Sequence, residues 1–334
     1  MEMTQVRGRT WMISGTTVLG VYVFENGQCL LIDSGAELLS AQKAMDMLHE
    51  RGLRVWGIFN THAHGDHAAG NRLFQQADDC RIFARPREAV QLVHPEIQAW
   101  MLYSASPVSL LQAPLIVPPP CRVTDFLQPG EMEVLGETFT IVDLPGHTME
   151  HCGVITPDGV HFWGDVMLEE AWLEKCPYPY TFDVEKSLQS LRWTARQEGD
   201  IYCLAHGGIL ADARRCSERN RQMFREMMEW YLEELARAPK SREELLQLTL
   251  RKYFPGGNVL RYFLIQSSVA AFLQYFCEKK AVKYRMEDGR LLFMLREEPE
   301  TARLLCMEKL FDEDKNQKKK DGLCYGTDKT GSNQ

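Results

Sequence analysis

The chain has 334 residues, 45% of them apolar and 25% charged, an ordinary globular composition that excludes a disordered or coiled-coil polypeptide and leaves room for two folded units. The formal net charge of -8 would repel a phosphate backbone, which argues against broad nucleic-acid affinity. No apolar run approaches the roughly 20 residues of a membrane span, and the opening "MEMTQVRGRTWMISG" has no continuous apolar core of the secretory kind, so no membrane partner is expected and the expected location is cytoplasmic.

In chain order, "VYVFENGQCLLIDSG" reads as two β-rich runs joined at Asn26-Gly27, where a tight primed hairpin turn is expected. The hairpin delivers Asp33 to a strand end. "AELLSAQKAMDMLHERG" then shows helical periodicity and stops at Gly52. The strand "LRVWGIFN" leads directly into "THAHGDH", and a helix is expected from "HAAGNRLF". His94 to Pro120 is a long insertion rich in aromatic residues and proline, the type of segment that forms lids. "EMEVLGETFTIVDLPGHT" and "GVITPDGVHFWGD" each read as strand, turn, strand. "TFDVEKSLQSLRWTARQEG" is a helix capped by Asp183, followed by the strand "IYCLA" ending at His206. Sheet segments alternating with amphipathic helices imply layered sheets with helices outside.

After Asp212 a long helix runs to a boundary at Pro239. From Ser241 the order helix, helix, hairpin resembles a winged helix, with the hairpin turning at Glu287-Asp288-Gly289. The expected division is a catalytic unit over 1–240, a winged-helix-like unit over 241–300 and a disordered polar tail over 301–334. The ten cysteines are scattered without CxxC spacing and read as small buried apolar residues.

The chemistry sits in the histidines. Five of the nine fall at predicted strand ends: His62, His64, His67, His147 and His206. Asp66 and Asp165 share that placement. A borderline divalent cation takes imidazole nitrogen and carboxylate oxygen from several converging segments, which this set supplies. Residues two apart in an extended loop face the same way, so His62 and His64 suit one ion while Asp66-His67 turns to another. Two cations about 3.5–4 Å apart can ionise a shared water near neutral pH and polarise a substrate oxygen, so no serine triad is required. The competing reading, histidines hydrogen-bonded to their surroundings, suits a lone residue better than this cluster.

The motifs "THAHGDH", "PGHTMEH", "WGD" and "AHGG", in that order over roughly residues 10 to 210, resemble the metal-binding motifs of the metallo-β-lactamase superfamily. The resemblance implies an αββα four-layer sandwich of α/β class, followed here by the winged-helix-like unit. It also implies one metal on His62, His64 and His147, a second on Asp66, His67 and His206, and Asp165 bridging both. Asp66 and Asp165 are the residues it makes catalytic. The implied cofactor is Zn²⁺, two per chain, with iron or manganese as alternatives. The expected activity is hydrolysis of an ester, thioester or related acyl substrate by a shared hydroxide, in the manner of glyoxalase II. The alternatives are a mononuclear iron dioxygenase acting on sulfur and a nuclease or nucleic-acid-binding protein. Asp33 and His151 are expected to brace the site from behind. Trp100, Tyr103, Trp172, Tyr178 and Tyr180 are candidates for the substrate pocket. The C-terminal unit is expected to wall the site or to form a homodimer.

Overall fold

The computed structural model describes residues 1–199 and 201–311, so the expected tail from residue 312 onward lies outside the described residues. Among the described residues one sheet runs in chain order through β1 (Met3–Arg7), β2 (Thr10–Ile13), β3 (Leu19–Val23), β4 (Gln28–Ile32), β5 (Arg54–Phe59), β6 (Arg81–Ala84) and β7 (Asp125–Phe126). β1 to β4 pair antiparallel; β4 to β7 pair parallel. A second sheet contains β8 (Gly130–Val134), β9 (Glu137–Asp143), β10 (Cys152–Ile155), β11 (Val160–Phe162), β12 (Ile201–Leu204) and β13 (Gly208–Ile209), in the order β13-β12-β11-β10-β9-β8.

The alternation of apolar residues decides how these sheets stack. In β4, Cys29 and Leu31 join a core under the helices, while Leu30 and Ile32 join the core between the sheets. β5 repeats this with Val55 and Ile58 on one side and Phe59 on the other. A strand apolar on both faces is stable only when both are covered. The outer face of the first sheet is covered by α1 (Leu38–Glu50), α3 (Asn71–Asp78) and α4 (Pro86–Val93). Tyr22, Phe59 and Phe139 fill the middle with edge-to-face ring contacts. The far face of the second sheet presents Tyr202 and Leu204 to α7 (Val184–Thr194) and α8 (Ala213–Arg237). The result is the four-layer αββα sandwich.

Two local expectations change. The hairpin between β3 and β4 does not use a primed turn: Gly27 N–H donates to Phe24 O at 3.2 Å, and at this turn Gly27 alone adopts a left-handed φ, +78°. This is the type I turn with a glycine bulge that a longer loop favours. The helix expected from "HAAGNRLF" is two pieces, α2 (Gly65–Ala68) and α3, broken where Gly70 passes Ser34 so closely that a Cβ would lie 2.4 Å from its carbonyl oxygen.

The insertion holds α5 (Glu96–Tyr103) and a short 3-10 turn at Ser109–Gln112, and α6 (Glu170–Lys175) follows β11. Beyond α8 come α9 (Arg242–Tyr253), α10 (Val259–Glu278) and the hairpin of β14 (Val282–Glu287) and β15 (Arg290–Leu295), which turns on left-handed Asp288 and Gly289. The chain then forms α11 (Pro299–Phe311) where a polar tail from residue 301 was expected. Its Ala302, Cys306 and Met307 are buried and α11 packs on α8, because "TARLLCM" supplies an apolar face at helical spacing. Leu235 and Met228, before residue 240, share one core with Leu245, Phe272 and Phe276 after it. The described cysteines are free, six of them buried. No helix among the described residues is long and apolar enough to cross a membrane.

Candidate metal centre

Both sheets end their strands at one rim, and every histidine loop leaves from that rim. Asp33 follows β4, the His62–His67 loop follows β5, His147 follows β9, Asp165 follows β11 and His206 follows β12. Backbone bonds lock the loops together: Ser34 N–H donates to His67 O at 2.8 Å, Cys152 N–H to Thr61 O at 2.9 Å and Val18 N–H to Ala205 O at 2.9 Å. Gly146, at φ +132°, lets the His147 loop approach α7 so closely that a Cβ would meet Ser187 N at 2.3 Å.

Seven side chains gather there in two groups, His62, His64 and His147 in one and Asp66, His67, Asp165 and His206 in the other, with the donor atoms of each group within 4.8 Å of one another. His64 Nδ1 lies 3.1 Å from His62 Nε2 and 3.0 Å from His147 Nε2. Asp165 faces both groups, with Oδ2 3.6 Å from His147 Nε2 and 3.4 Å from His206 Nε2. Asp66 Oδ2 is 3.4 Å from His206 Nε2. Such separations suit donor atoms arranged about an ion with bonds of about 2 Å.

The outward nitrogens settle the tautomers, and here the donor set fits a cation. His147 Nδ1–H donates to Tyr180 O at 3.2 Å, and His206 Nδ1–H to Thr16 O at 3.1 Å. His67 Nδ1–H donates to Asp33 Oδ2 at 2.7 Å. Thr61 gives its hydroxyl to Asp33 Oδ2 at 2.8 Å, which leaves its oxygen to accept from His62 Nδ1, 3.0 Å away. Four rings therefore turn Nε2 inward, the arrangement that outer hydrogen bonds impose on metal-binding histidines. His67 Nε2 and Asp165 Oδ1 are buried and face each other at 3.4 Å, but neither makes a hydrogen bond. A buried imidazole nitrogen and a buried carboxylate oxygen that pair only by charge, among other lone pairs, are better satisfied by a bound cation.

Charge divides the groups in the same way. Burial and the neighbouring rings hold His62 well below its usual pKa, and His64 and His147 fall to about 4 and about 3. That trio is neutral and ready to donate. In the second group burial opposes charge, yet it is outweighed: Asp165 and Asp66 raise His206 to about 10, and Asp165, Asp33 and Asp66 raise His67 well above its usual value. Burial likewise opposes ionisation of Asp165, but His67 and His206 keep it well below the ordinary carboxylate range. Without metal the carboxylates thus recruit protons, and an incoming cation must displace them. Zinc titrated into metal-free protein at pH 7 is expected to release about two protons per chain. Calorimetry in buffers of different ionisation enthalpy would read the number, and no release would contradict these protonation states.

Both residues expected behind the site are in contact with it. Asp33, itself at a left-handed φ of +62°, accepts from Thr61 N–H at 2.8 Å as well as from His67. His151 is fully buried, and its Nε2 accepts from Asp165 N–H at 3.0 Å, which holds the Asp165 loop. The sequence reading missed Glu88 on α4. Its fully buried carboxylate accepts from Ala63 N–H at 3.0 Å, Thr148 Oγ1 at 2.7 Å and Glu150 N–H at 3.0 Å, tying the His62–His67 loop to the His147 loop. The available signal was an acidic residue among the inward positions of an amphipathic helix.

A pocket of about 400 Å³ opens over the cluster, with His64, Asp66, His147, Asp165 and His206 among its lining residues. Tyr180, Tyr178 and Trp172 line it. Tyr180 sets its ring 5.3 Å from His64, and Trp172 sets its ring 5.2 Å from His206. Trp100 and Tyr103 do not line it. They project from the outer face of α5, at 49% and 36% exposure, because Gln98, Ala99 and Leu102 take the inward positions. The insertion contributes Gln98, Leu115 and Ile116 to the pocket instead.

The sequence profile of the metallo-beta-lactamase superfamily matches residues 16–206, the span that carries β3 to β12 and all seven clustered side chains. The chain belongs to that superfamily. A protein from Burkholderia ambifaria described as a beta-lactamase domain protein superimposes with a TM-score of 0.69 at 17% identity, over 88% of this chain and 94% of that one. A metallo-beta-lactamase family protein from Thermus thermophilus gives 0.65 at 24%, over 84% and 94%. These likenesses extend the shared fold past the profile match, into the C-terminal helices. The hydroxyacylglutathione hydrolase of Vibrio parahaemolyticus is 26% identical over 187 residues, 55% of this chain and 60% of its own length. That of Vibrio campbellii is 26% identical over 188 residues, with the same coverage. The chain thus spans about three-fifths of the length of these relatives.

Proposed function

We propose that the chain hydrolyses carboxylic esters or thioesters with two bound divalent cations, zinc by preference. His62, His64 and His147 would hold one and Asp66, His67 and His206 the other, with Asp165 between them. The observation that carries this reading is Asp165 Oδ2, poised 3.6 Å from His147 Nε2 and 3.4 Å from His206 Nε2 beneath a pocket. Cations bound there supply Lewis acidity and a water acidic enough to act as a nucleophile at neutral pH.

The chain's own residues bind, align and exclude water. Leu115, Ile116, Met223, Phe224, Leu264 and Ile265 form an apolar wall suited to an acyl chain. The same wall strengthens every charge interaction at the cluster by keeping water out. Side chains that could compete as nucleophiles are otherwise engaged: Ser187 donates its hydroxyl to Asp183 O at 2.8 Å, and burial raises the Cys176 thiol above its usual pKa. The relatives named hydroxyacylglutathione hydrolase support thioesters as the first class to test. Residues 241–300 serve in this reading as a module that walls the pocket, through Phe254, Leu264 and Ile265.

The test is a panel of thioesters, esters, lactones, β-lactams and phosphodiesters offered to zinc-loaded protein, beside metal analysis of protein purified without added metal. Thioester or ester cleavage with two zinc ions per chain is expected. One iron per chain with oxygen uptake, or cleavage of phosphodiesters alone, would overturn it.

A further inference from the structure

The pocket wall holds one charged side chain that the metal cluster does not explain. Arg261 is the single Lys or Arg among the described lining residues. It sits in the first turn of α10, where Asn258 caps the helix by accepting from Arg261 N–H at 2.9 Å. Its guanidinium lies 4.3 Å from the centre of the Phe254 ring, and no carboxylate among the described residues lies within ion-pair distance of it. Most arginines of this chain are otherwise placed: Arg81 pairs with Asp125, Arg237 with Glu234 and Arg290 with Glu244.

Arg261 is half-buried with its guanidinium over the Phe254 ring, an arrangement in which the ring supports the cation and the guanidinium's N–H groups can fork onto a flat oxyanion. The neighbours on the same helix, Leu264 and Ile265, offer only hydrocarbon. We propose that Arg261 forms an anion subsite in this pocket, and that the substrate is amphipathic: an apolar acyl group joined to a leaving group that carries one carboxylate or phosphate, which Arg261 binds. This rests on the hydrolase reading above and adds to it the kind of acyl compound the pocket selects. It also gives the C-terminal helices a role in selectivity, since the sandwich contributes no Lys or Arg to the described lining residues of the pocket.

The experiment compares matched thioesters: S-octanoyl mercaptoacetate, its neutral mercaptoacetamide counterpart, and the S-octanoyl thioester of mercaptoethanol phosphate. In zinc-loaded wild type the anionic compounds are preferred. In Arg261→Gln the ratio of kcat/KM for anionic over neutral substrate is expected to fall about tenfold or more, chiefly through KM, with part of the ratio kept in Arg261→Lys. A larger loss for the phosphate than for the carboxylate assigns the anion as phosphate, and the reverse assigns a carboxylate. Should neither esters nor thioesters be cleaved, the hydrolase reading fails, while Arg261 remains testable by calorimetry of the uncleavable thioether S-octyl mercaptoacetate against its amide, each binding to zinc-loaded wild type and Arg261→Gln. Equal anionic-to-neutral ratios in wild type and Arg261→Gln, with matching thermal melts, would show that Arg261 only packs on Phe254 and would overturn the proposal.

Discussion

Asp165→Ala is expected to lower turnover by about a thousandfold or more while the sandwich stays folded. The side chain stands between the two groups of donors, within 3.4 to 3.6 Å of His67, His147 and His206, and no neighbouring carboxylate among the described residues reaches the same place. Its removal also takes away the leading charge that raises His206 and His67. Zinc binding to the variant should therefore release fewer protons at pH 7 and reach less than two ions per chain. Metal analysis, the calorimetric proton count and steady-state rates together check this. Two tightly bound ions with wild-type turnover would contradict the assigned role of Asp165.

Glu88→Ala carries the second large effect, and it acts from outside the pocket. The substitution leaves two backbone N–H groups, Ala63 and Glu150, and the Thr148 hydroxyl without their acceptor in a fully buried place. Buried donors left unsatisfied cost about 1–3 kcal/mol each, though not additively, so a loss of about 3 kcal/mol is expected. The loops bearing His62, His64 and His147 lose their common anchor, and metal affinity should fall about 10- to 100-fold. Glu88→Gln keeps the shape but turns an amide N–H₂ toward one of the donors, so it should lie between wild type and Glu88→Ala. Chelator competition and thermal melts of the metal-free and zinc-loaded forms measure both quantities. An alanine variant that matches wild type in affinity and melting would show that the clamp is unnecessary.

The metal cluster was legible because its information is local. "THAHGDH" places three imidazoles and a carboxylate on one short loop, and the strand before it sends that loop to the sheet rim whatever the rest of the fold does. The role of Glu88 was not legible: "PREAVQLV" shows an acidic residue on its inward face, but its partners Ala63, Thr148 and Glu150 come against it from sites 25, 60 and 62 residues away. Trp100 and Tyr103 failed for the opposite reason. Aromatic composition marked the insertion as pocket-forming, but the phase of α5 put Gln98, Ala99 and Leu102 inward and left those two rings outside.

The sequence by itself determined the elements whose signal is repeated along the chain: alternating strands apolar on both faces, the long helix before Pro239, the helix, helix and hairpin after Ser241, and the strand-end position of each clustered histidine. Only the tertiary structure decided which nitrogen of each ring faces inward, that Asp165 stands between the two groups, and that α10 closes the pocket with Phe254 and Arg261. The reason is physical. Periodicity records which face of an element is buried, whereas hydrogen-bond partners, charge environments and pocket walls arise between segments far apart in sequence, and are set by how the layers pack.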